Sequence, residues 1–199
     1  MNLWINTFIK FFFLLTPFWV ISTFLSMTQG KSLGARRKLA IRVTLAVIVA
    51  CAVLIFGGNA IFRMFDITID SFRIGAGCLL FLSAVSLVKG SSNATPVNDG
   101  HDIAVVPLAI PITVGPGTTG ALLVMGTEFQ SYGDKAIAGT ALLTAVLVVG
   151  LLLYLASGVE KILGQKGLNV LSKLTGLILS ALSAQLVMTG VMGMLRDHL

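Results

Sequence analysis

Long apolar runs separated by short polar connections recur along the whole chain. Six runs of about 18–26 residues are each long enough to cross the hydrocarbon core of a bilayer as a helix. The pattern therefore predicts an all-α, multi-pass integral membrane protein with one transmembrane domain over residues 1–199. The predicted spans cover residues 3–28, 41–62, 72–89, 103–126, 135–158 and 172–195.

Composition supports a membrane protein and argues against a soluble one. Of the 199 residues, 56% are hydrophobic and 11% are charged, whereas an ordinary soluble domain has about 25% charged residues. An excess of 14 Lys and Arg over 8 Asp and Glu would suggest nucleic acid in a soluble protein. Here the basic residues lie beside apolar runs, where they set membrane orientation, so we expect no nucleic-acid binding.

The distribution of basic residues predicts which side of the membrane each connection occupies. Nine Lys and Arg lie on the side of the membrane that holds the connections between spans one and two, three and four, and five and six, and five lie on the other side. Because cytoplasmic connections carry the excess of Lys and Arg, both termini are predicted to be extracytoplasmic. The polar segment 91–102 is then a cytoplasmic loop.

Two halves of the chain resemble each other. Residues 73–90 align with residues 173–190 at an offset of one hundred, and Pro17 aligns with Pro111 at an offset of 94. Each repeat has three spans, which is an odd number. The second copy therefore enters the membrane inverted, as in many secondary transporters. We expect repeat one over about 1–90 and repeat two over about 103–199. The identical pairs in the first alignment are Leu79/Leu179, Leu82/Leu182, Ser83/Ser183, Ala84/Ala184 and Gly90/Gly190.

Proline and glycine predict that the first and fourth helices are broken in mid-membrane. A proline has no N–H and displaces the carbonyl four residues before it, so Pro17 would free the carbonyl of Phe13 and Pro116 that of Ile112. Gly115 and Gly117 flank Pro116 and tolerate backbone angles that other residues resist. In lipid, such a break persists only when it is buried in protein or lines a wet cavity.

The broken helices predict a binding site for an amino-acid zwitterion. The N–H groups of Gly117, Thr118 and Thr119 would hold its carboxylate at a helix N-terminus, and carbonyls around Ile110 and Ile112 would accept from its ammonium. The alternative is that the prolines only kink packed helices. The candidate substrate-binding residues are Thr16, Pro17, Ser22, Thr23, Pro111, Thr113, Gly115, Pro116, Gly117, Thr118 and Thr119.

Acidic and catalytic groups are missing from the interiors of the apolar runs. All eight Asp and Glu lie in connections or at or near the ends of spans, which argues against a proton relay or a carboxylate cation site. The substrate is therefore expected to carry no net charge. The sequence shows no Ser/His/Asp grouping and no metal-ligand cluster, so we expect no catalytic residue, no metal, no cofactor and no enzymatic activity.

Three segments resemble the MarC family of six-span membrane proteins. They are "FGGNAIFRMFDITIDSFRIGAGCLLFLSAVSLV" (56–88), "VVPLAIPITVGPGTTGALLVMG" (105–126) and "GLNVLSKLTGLILSALSAQLVMTGVMGM" (167–194). The second matches the most specific motif of the family, P-L-A-x-P-x-x-x-G-P-G-x-I/T. The resemblance implies a location in the inner (plasma) membrane of a bacterium or archaeon, and transport of small neutral amino acids such as glycine and alanine.

The first span departs from that family pattern. Thr16 stands where the family usually has asparagine, and Ser22 stands where it has a second proline, so the first break is expected to be milder. Besides amino-acid transport, two alternatives stay open: transport of another small zwitterion or neutral metabolite, and a non-transporting membrane assembly factor. The expected partners are the substrate and the lipid bilayer, and a homo-oligomer is an open alternative.

Overall fold

A computed structural model describes residues 3–90, 108–109, 112–129 and 131–198. These residues form helices and turns and no strand, as the sequence predicts. Residues 108–109 and 112–113 lie in a π-helical turn. The seven α-helices are α1 (Leu3–Leu14), α2 (Pro17–Met27), α3 (Leu33–Phe65), α4 (Ile69–Lys89), α5 (Pro116–Glu128), α6 (Tyr132–Tyr154) and α7 (Ala156–His198).

Five helical stretches are long and apolar enough to cross a membrane, as a multi-pass membrane protein requires. The short α5 has 13 residues and therefore a length of only about 20 Å. The first half of the predicted fourth span, 103–126, lies largely outside the described residues. The five stretches are Leu3–Met27, Leu33–Gly58, Ile69–Lys89, Gly133–Tyr154 and Ala156–Arg196.

Two predicted spans were too short. Helix α3 begins at Leu33 rather than at 41, because the side chain of Ser32 caps its first turn by accepting from Ala35 N. Helix α7 is divided at Gly164, whose backbone is not helical (φ 65°, ψ 169°), so the helix of the last span begins just after Gly164 rather than at 172. Hydropathy marks only the apolar centre of a span, whereas backbone hydrogen bonding carries the helix on into the polar zone.

Polar contacts define the two ends of the helix bundle. At one end, Arg36 Nε donates to Thr28 O (3.1 Å) and Arg36 Nη1 donates to Ser157 Oγ (3.1 Å). At the other end, Arg73 of α4 pairs with Glu128 of α5. We call these the basic end and the Arg73 end. Helices α3 and α6 also run between the two ends, so successive spans alternate in direction.

Helices α4 and α7 run antiparallel and approach closely at glycines. A Cβ atom on Gly77 would lie 2.6 Å from Val187 Cγ2 and 3.0 Å from Ser183 O. A Cβ atom on Gly176 would lie 2.9 Å from Val88 Cγ2 and 3.0 Å from the carbonyl oxygen of Ala84. Small residues allow membrane helices to approach closely, so that van der Waals contacts between them contribute to their association.

The broken first span lies in the protein interior. It is the most buried of the five candidate spans, and Phe11, Val20, Ile21 and Phe24 in it are fully buried. A helix break exposes polar backbone groups that lipid cannot satisfy. Surrounding the break with protein removes that cost, so this placement is the physical condition for a break in mid-membrane.

Candidate functional site

The first break lies between Leu14 and Pro17. Thr16 adopts a left-handed conformation (φ 47°, ψ 55°), which costs a non-glycine residue about 1–2 kcal/mol. Thr16 N donates to Phe13 O (3.0 Å), so the Phe13 carbonyl that the sequence predicted to be free already has a partner. The broken helix instead makes the carbonyl of Leu14 available, since the backbone hydrogen bonds of α1 stop there.

The hydroxyl of Thr118 joins the two breaks. Thr118 Oγ1 donates to Leu14 O (3.1 Å), and the residue is only 6% exposed. A carbonyl left over at the end of α1 is thus satisfied from the first turn of α5. The sequence predicted two separate breaks with a shared ligand, and the structure brings them into direct contact.

The second break begins α5 with Gly115 and Pro116. Gly115 caps the helix in an extended conformation (φ −77°, ψ 174°), and Thr119 N donates to Gly115 O (2.8 Å). The prediction that the Thr119 amide is free for a ligand is therefore wrong, because that amide makes the first hydrogen bond of α5. The N–H groups of Gly117 and Thr118 make no hydrogen bond to a described residue.

Thr113 and Gly117 support the break rather than line a cavity. Thr113 Oγ1 donates to Leu108 O (2.7 Å), and Val114 N donates to Ala109 O (2.9 Å), so the π-helical turn before the break satisfies its own groups. Gly117 faces α4, where a Cβ atom would lie 2.6 Å from Leu80 Cα. Its lack of a side chain lets the first turn of α5 lie against the backbone of α4.

A cavity of about 210 Å³ lies where the two breaks meet; we call it the central cavity. Four hydroxyl side chains face it, and none of its described lining residues is charged. The site can therefore offer hydrogen bonds to a polar solute without a fixed ionic partner. The lining residues are Thr16, Trp19, Ser83, Ser86, Leu87, Ile112, Gly115, Pro116, Thr118 and Leu179.

A larger polar cavity of about 600 Å³ adjoins the central cavity towards the basic end; we call it the vestibule. Trp19, Ser86 and Leu87 line both cavities and so form the neck between them. Lys89 and Lys173 lie in the vestibule wall. A solute entering from the basic end would pass this neck before it reaches the two breaks.

The predicted site residues fall into four groups. Thr16, Gly115, Pro116 and Thr118 line the central cavity. Ser22 and Thr23 line the vestibule, one or two turns beyond the break, rather than the wall of the central cavity. Pro17, Thr113, Gly117 and Thr119 belong to the helical framework around the breaks, and Pro111 lies outside the described residues.

Sequence reasoning missed Trp19, Ser83, Ser86 and Leu179 as cavity residues. A signal existed for Ser83 and Leu179, because both belong to identical pairs of the internal repeat. No signal pointed to Trp19, since one aromatic residue among many apolar neighbours carries no positional information.

A third cavity of about 90 Å³ lies towards the Arg73 end; we call it the Arg73-end cavity. Arg73 Nη1 lies 2.7 Å from Asp70 Oδ1, and Arg73 Nη2 lies 3.2 Å from Glu128 Oε1. The first pair lies within α4, and the second connects α4 with α5. The lining residues are Lys10, Leu14, Arg73, Leu80, Ala121, Met125, Glu128, Leu182, Gln185, Leu186 and Thr189.

Known proteins match this chain over almost its full length. The UPF0056 membrane protein YhcE of Escherichia coli (strain K12) is 32% identical over 194 residues, which cover 94% of this chain and 90% of that protein. The UPF0056 membrane protein MJ1677 of Methanocaldococcus jannaschii is 30% identical over 198 residues, with coverages of 96% and 97%. The UPF0056 membrane protein YvbG of Bacillus subtilis (strain 168) is 28% identical over 199 residues, with coverages of 96% and 94%.

No solved structure matches this chain. The profile of the MarC family, described as "MarC family integral membrane protein", matches residues 1–195. The Gly115-Pro116-Gly117 break and the helices around it lie within that match. Because the match covers nearly the whole chain, this protein belongs to the MarC family of integral membrane proteins.

Proposed function

We propose that this protein is a secondary transporter that moves small neutral amino acids, such as glycine and alanine, through the central cavity. One observation carries the proposal: two broken helices meet at an uncharged, hydroxyl-lined cavity that adjoins a polar vestibule. Transporters of known mechanism hold their substrates at discontinuous helices near mid-membrane. A packing device would not need a cavity beside the break.

The chemistry of the central cavity suits a zwitterion. The amide group of Thr118, at the positive end of α5, would receive the carboxylate. The hydroxyls of Thr16, Ser83 and Ser86 can accept from an ammonium group as well as donate. No side chain in the described lining carries a charge, so a solute with a net charge would find no counter-ion there.

The size of the central cavity favours a small solute. Its volume of about 210 Å³ lies below the range of about 300–1,000 Å³ that is typical of sites for drug-sized ligands. At about 30 Å³ for each water molecule, it would hold roughly seven waters. A compact amino acid could displace that water.

Matching features of the helices support two inverted repeats, because they are separated along the chain by a nearly constant number of residues. Pro17 and Pro116 each occupy the first residue of the helix after a break, and the close-contact glycines Gly77 and Gly176 are related by the same separation. That separation is within one residue of the offset of one hundred in the sequence alignment. It favours pairing Pro17 with Pro116 over the pairing with Pro111.

Transport is tested with purified protein in liposomes loaded with unlabelled alanine. We expect labelled alanine or glycine to exchange into these vesicles well above the level of protein-free vesicles. A panel of other small zwitterions and neutral metabolites in the same assay separates the leading substrate class from its transport alternative. Flux equal to that of empty vesicles for every neutral amino acid tested would contradict the proposal.

Trp19 is expected to limit the size of the substrate, since it lines the neck between the vestibule and the central cavity. Trp19→Ala should raise the flux of leucine relative to glycine by about tenfold or more, because each excluded methylene is worth roughly that factor. The measurement is the ratio of the two exchange rates in liposomes.

Trp4→Ala is the matched control for this neck variant. Trp4 lines none of the three cavities, and its Nε1 donates to Thr140 Oγ1 (3.2 Å) between α1 and α6. The control removes a similar volume and should leave the leucine-to-glycine ratio as in the wild type. An unchanged ratio in Trp19→Ala would show that the neck does not select the substrate.

A further inference from the structure

The Arg73-end cavity lies on the same axis as the central cavity. On α5, Thr118 lines the central cavity, and Ala121, Met125 and Glu128 line the Arg73-end cavity. Spacings of three, four and three residues place all four side chains on one face of the helix. This face runs for about 15 Å from the break to the Arg73 end.

The residues of helix α7 that line the two cavities are spaced in the same way. Leu179 lines the central cavity, whereas Leu182, Leu186 and Thr189 line the Arg73-end cavity, at the same spacings. Both helices run towards the Arg73 end, so their lining faces are parallel. The two cavities are therefore consecutive parts of one passage lined by the same helices.

The passage is closed between these two cavities. Leu14, Leu80 and Leu182 line the inner end of the Arg73-end cavity, next to the turns that line the central cavity. Leu14 and Leu80 are at most 2% exposed, and the Leu14 carbonyl accepts from Thr118 Oγ1 (3.1 Å). An apolar layer with this contact separates the breaks from the Arg73 end, whereas a vestibule adjoins them on the other side.

The ion pairs at the Arg73 end differ in what they connect. Asp70 moves with Arg73, because both lie on α4, and it packs against the close-contact glycines Gly190 and Gly193 of α7. Glu128 lies on α5, and its side chain is 44% exposed, compared with 19% for Arg73. The Arg73–Glu128 pair is thus the link that can release α5 from α4 without breaking the pair within α4.

Arg73 is also incompletely satisfied in this arrangement. Its Nε atom is buried and has no hydrogen-bond partner among the described residues. Buried donors without partners are rare and costly in native proteins. A movement of α5 away from α4 would let water or another acceptor reach this atom, which lowers the cost of opening.

We propose that the Arg73-end cavity is the closed form of a second access route to the central cavity, and that the Arg73–Glu128 pair is the latch that keeps it closed. The inference rests on the proposed transport function and names its second route. When the latch opens, α5 and its Thr118 contact shift, the Arg73 end opens and the vestibule narrows. The solute in the central cavity then faces the opposite side of the membrane.

Thiol labelling tests the latch without any substrate. In a chain with Cys51→Ala and Cys78→Ala, Ala121→Cys reports on the Arg73 end and Ser86→Cys reports on the neck of the vestibule. A membrane-impermeant maleimide is applied from each side, with and without Glu128→Gln. We expect Glu128→Gln to speed labelling at position 121 by about two- to fivefold, as an exposed ion pair would allow, and to slow labelling at position 86.

Two further variants make the result decisive. Asp134→Asn removes a carboxylate from the first turn of α6 at the same end, where it takes part in no described ion pair, and should leave both labelling rates unchanged. Glu128→Asp keeps the charge but shortens the reach, so it should give an intermediate rate. Equal labelling in Glu128→Gln and Asp134→Asn, or faster labelling at both reporters together, would overturn the latch.

The labelling and flux assays separate the two proposals. Alanine exchange with no effect of Glu128→Gln on labelling would overturn the latch and leave the transport proposal standing. Reciprocal labelling without exchange of any neutral amino acid would support the second route and overturn the proposed substrate class.

Discussion

Thr118→Val is expected to lower alanine exchange by about tenfold or more. The substitution keeps the shape of the side chain but removes the hydroxyl that faces the central cavity and donates to Leu14 O (3.1 Å). The hydroxyl oxygen can also accept from the ammonium group of the solute; a hydrogen bond to a charged group is worth about 1.5–3 kcal/mol, and about 1.4 kcal/mol corresponds to a factor of ten. The measurement is the initial rate of exchange for each folded protein molecule in liposomes.

Thr175→Val and Thr118→Ser serve as controls for the loss of the hydroxyl. Thr175 is fully buried, donates to Leu171 O (2.9 Å) within its own helix and lines none of the three cavities, so its replacement should leave exchange nearly unchanged. Thr118→Ser keeps the donor and should retain most of the flux. Wild-type exchange in Thr118→Val would show that the contact between the breaks is not part of the transport site.

Gly117→Ala is expected to lower stability rather than to remove a ligand contact. A Cβ atom there would lie 2.6 Å from Leu80 Cα and 2.8 Å from Leu80 N, and backbone atoms cannot rotate away. Helices α4 and α5 must separate to accept the methyl group, and such overpacking costs about 1–3 kcal/mol. The apparent Tm in detergent should fall by about 2–12 °C for a chain of this size.

Gly75→Ala is the matched control on the partner helix. A Cβ atom on Gly75 would meet nothing within 4 Å, and alanine favours a helix over glycine by about 1 kcal/mol. The apparent Tm of this variant should stay the same or rise slightly. An equal Tm for Gly117→Ala and the wild type would mean that α4 and α5 do not pack as closely as the structure places them.

Gly117→Ala also bears on the non-transporting alternative. If the breaks were only packing devices, Thr118→Val would behave like Gly117→Ala and lower stability without a specific loss of flux. The two positions face different partners, since Gly117 lies against α4 and Thr118 lines the central cavity. Measuring both flux and Tm for both variants therefore separates a binding site from a packing contact.

Local chemistry in the sequence was sufficient to predict a helical membrane protein with several spans and the positions of the two breaks. Apolar length decides whether a helix can cross a bilayer, and a proline removes a hydrogen bond wherever it stands in a helix. Pro17 and Pro116 both begin a helix in the structure, as the breaks require. The helix beginnings at Leu33 and just after Gly164 were missed because polar residues can continue a helix outside the lipid.

Only the tertiary structure decided which groups meet at the breaks. The sequence pointed to the carbonyl of Phe13, but Thr16 N satisfies that group, and the contact falls instead on Leu14 and Thr118, 104 residues apart. Trp19 at the neck and the Arg73–Glu128 pair depend in the same way on helices that are distant in sequence. Hydropathy and helix breaking act along one segment of chain, whereas a cavity or an ion pair between helices depends on which faces pack together, and side-chain packing sets that for the bundle as a whole.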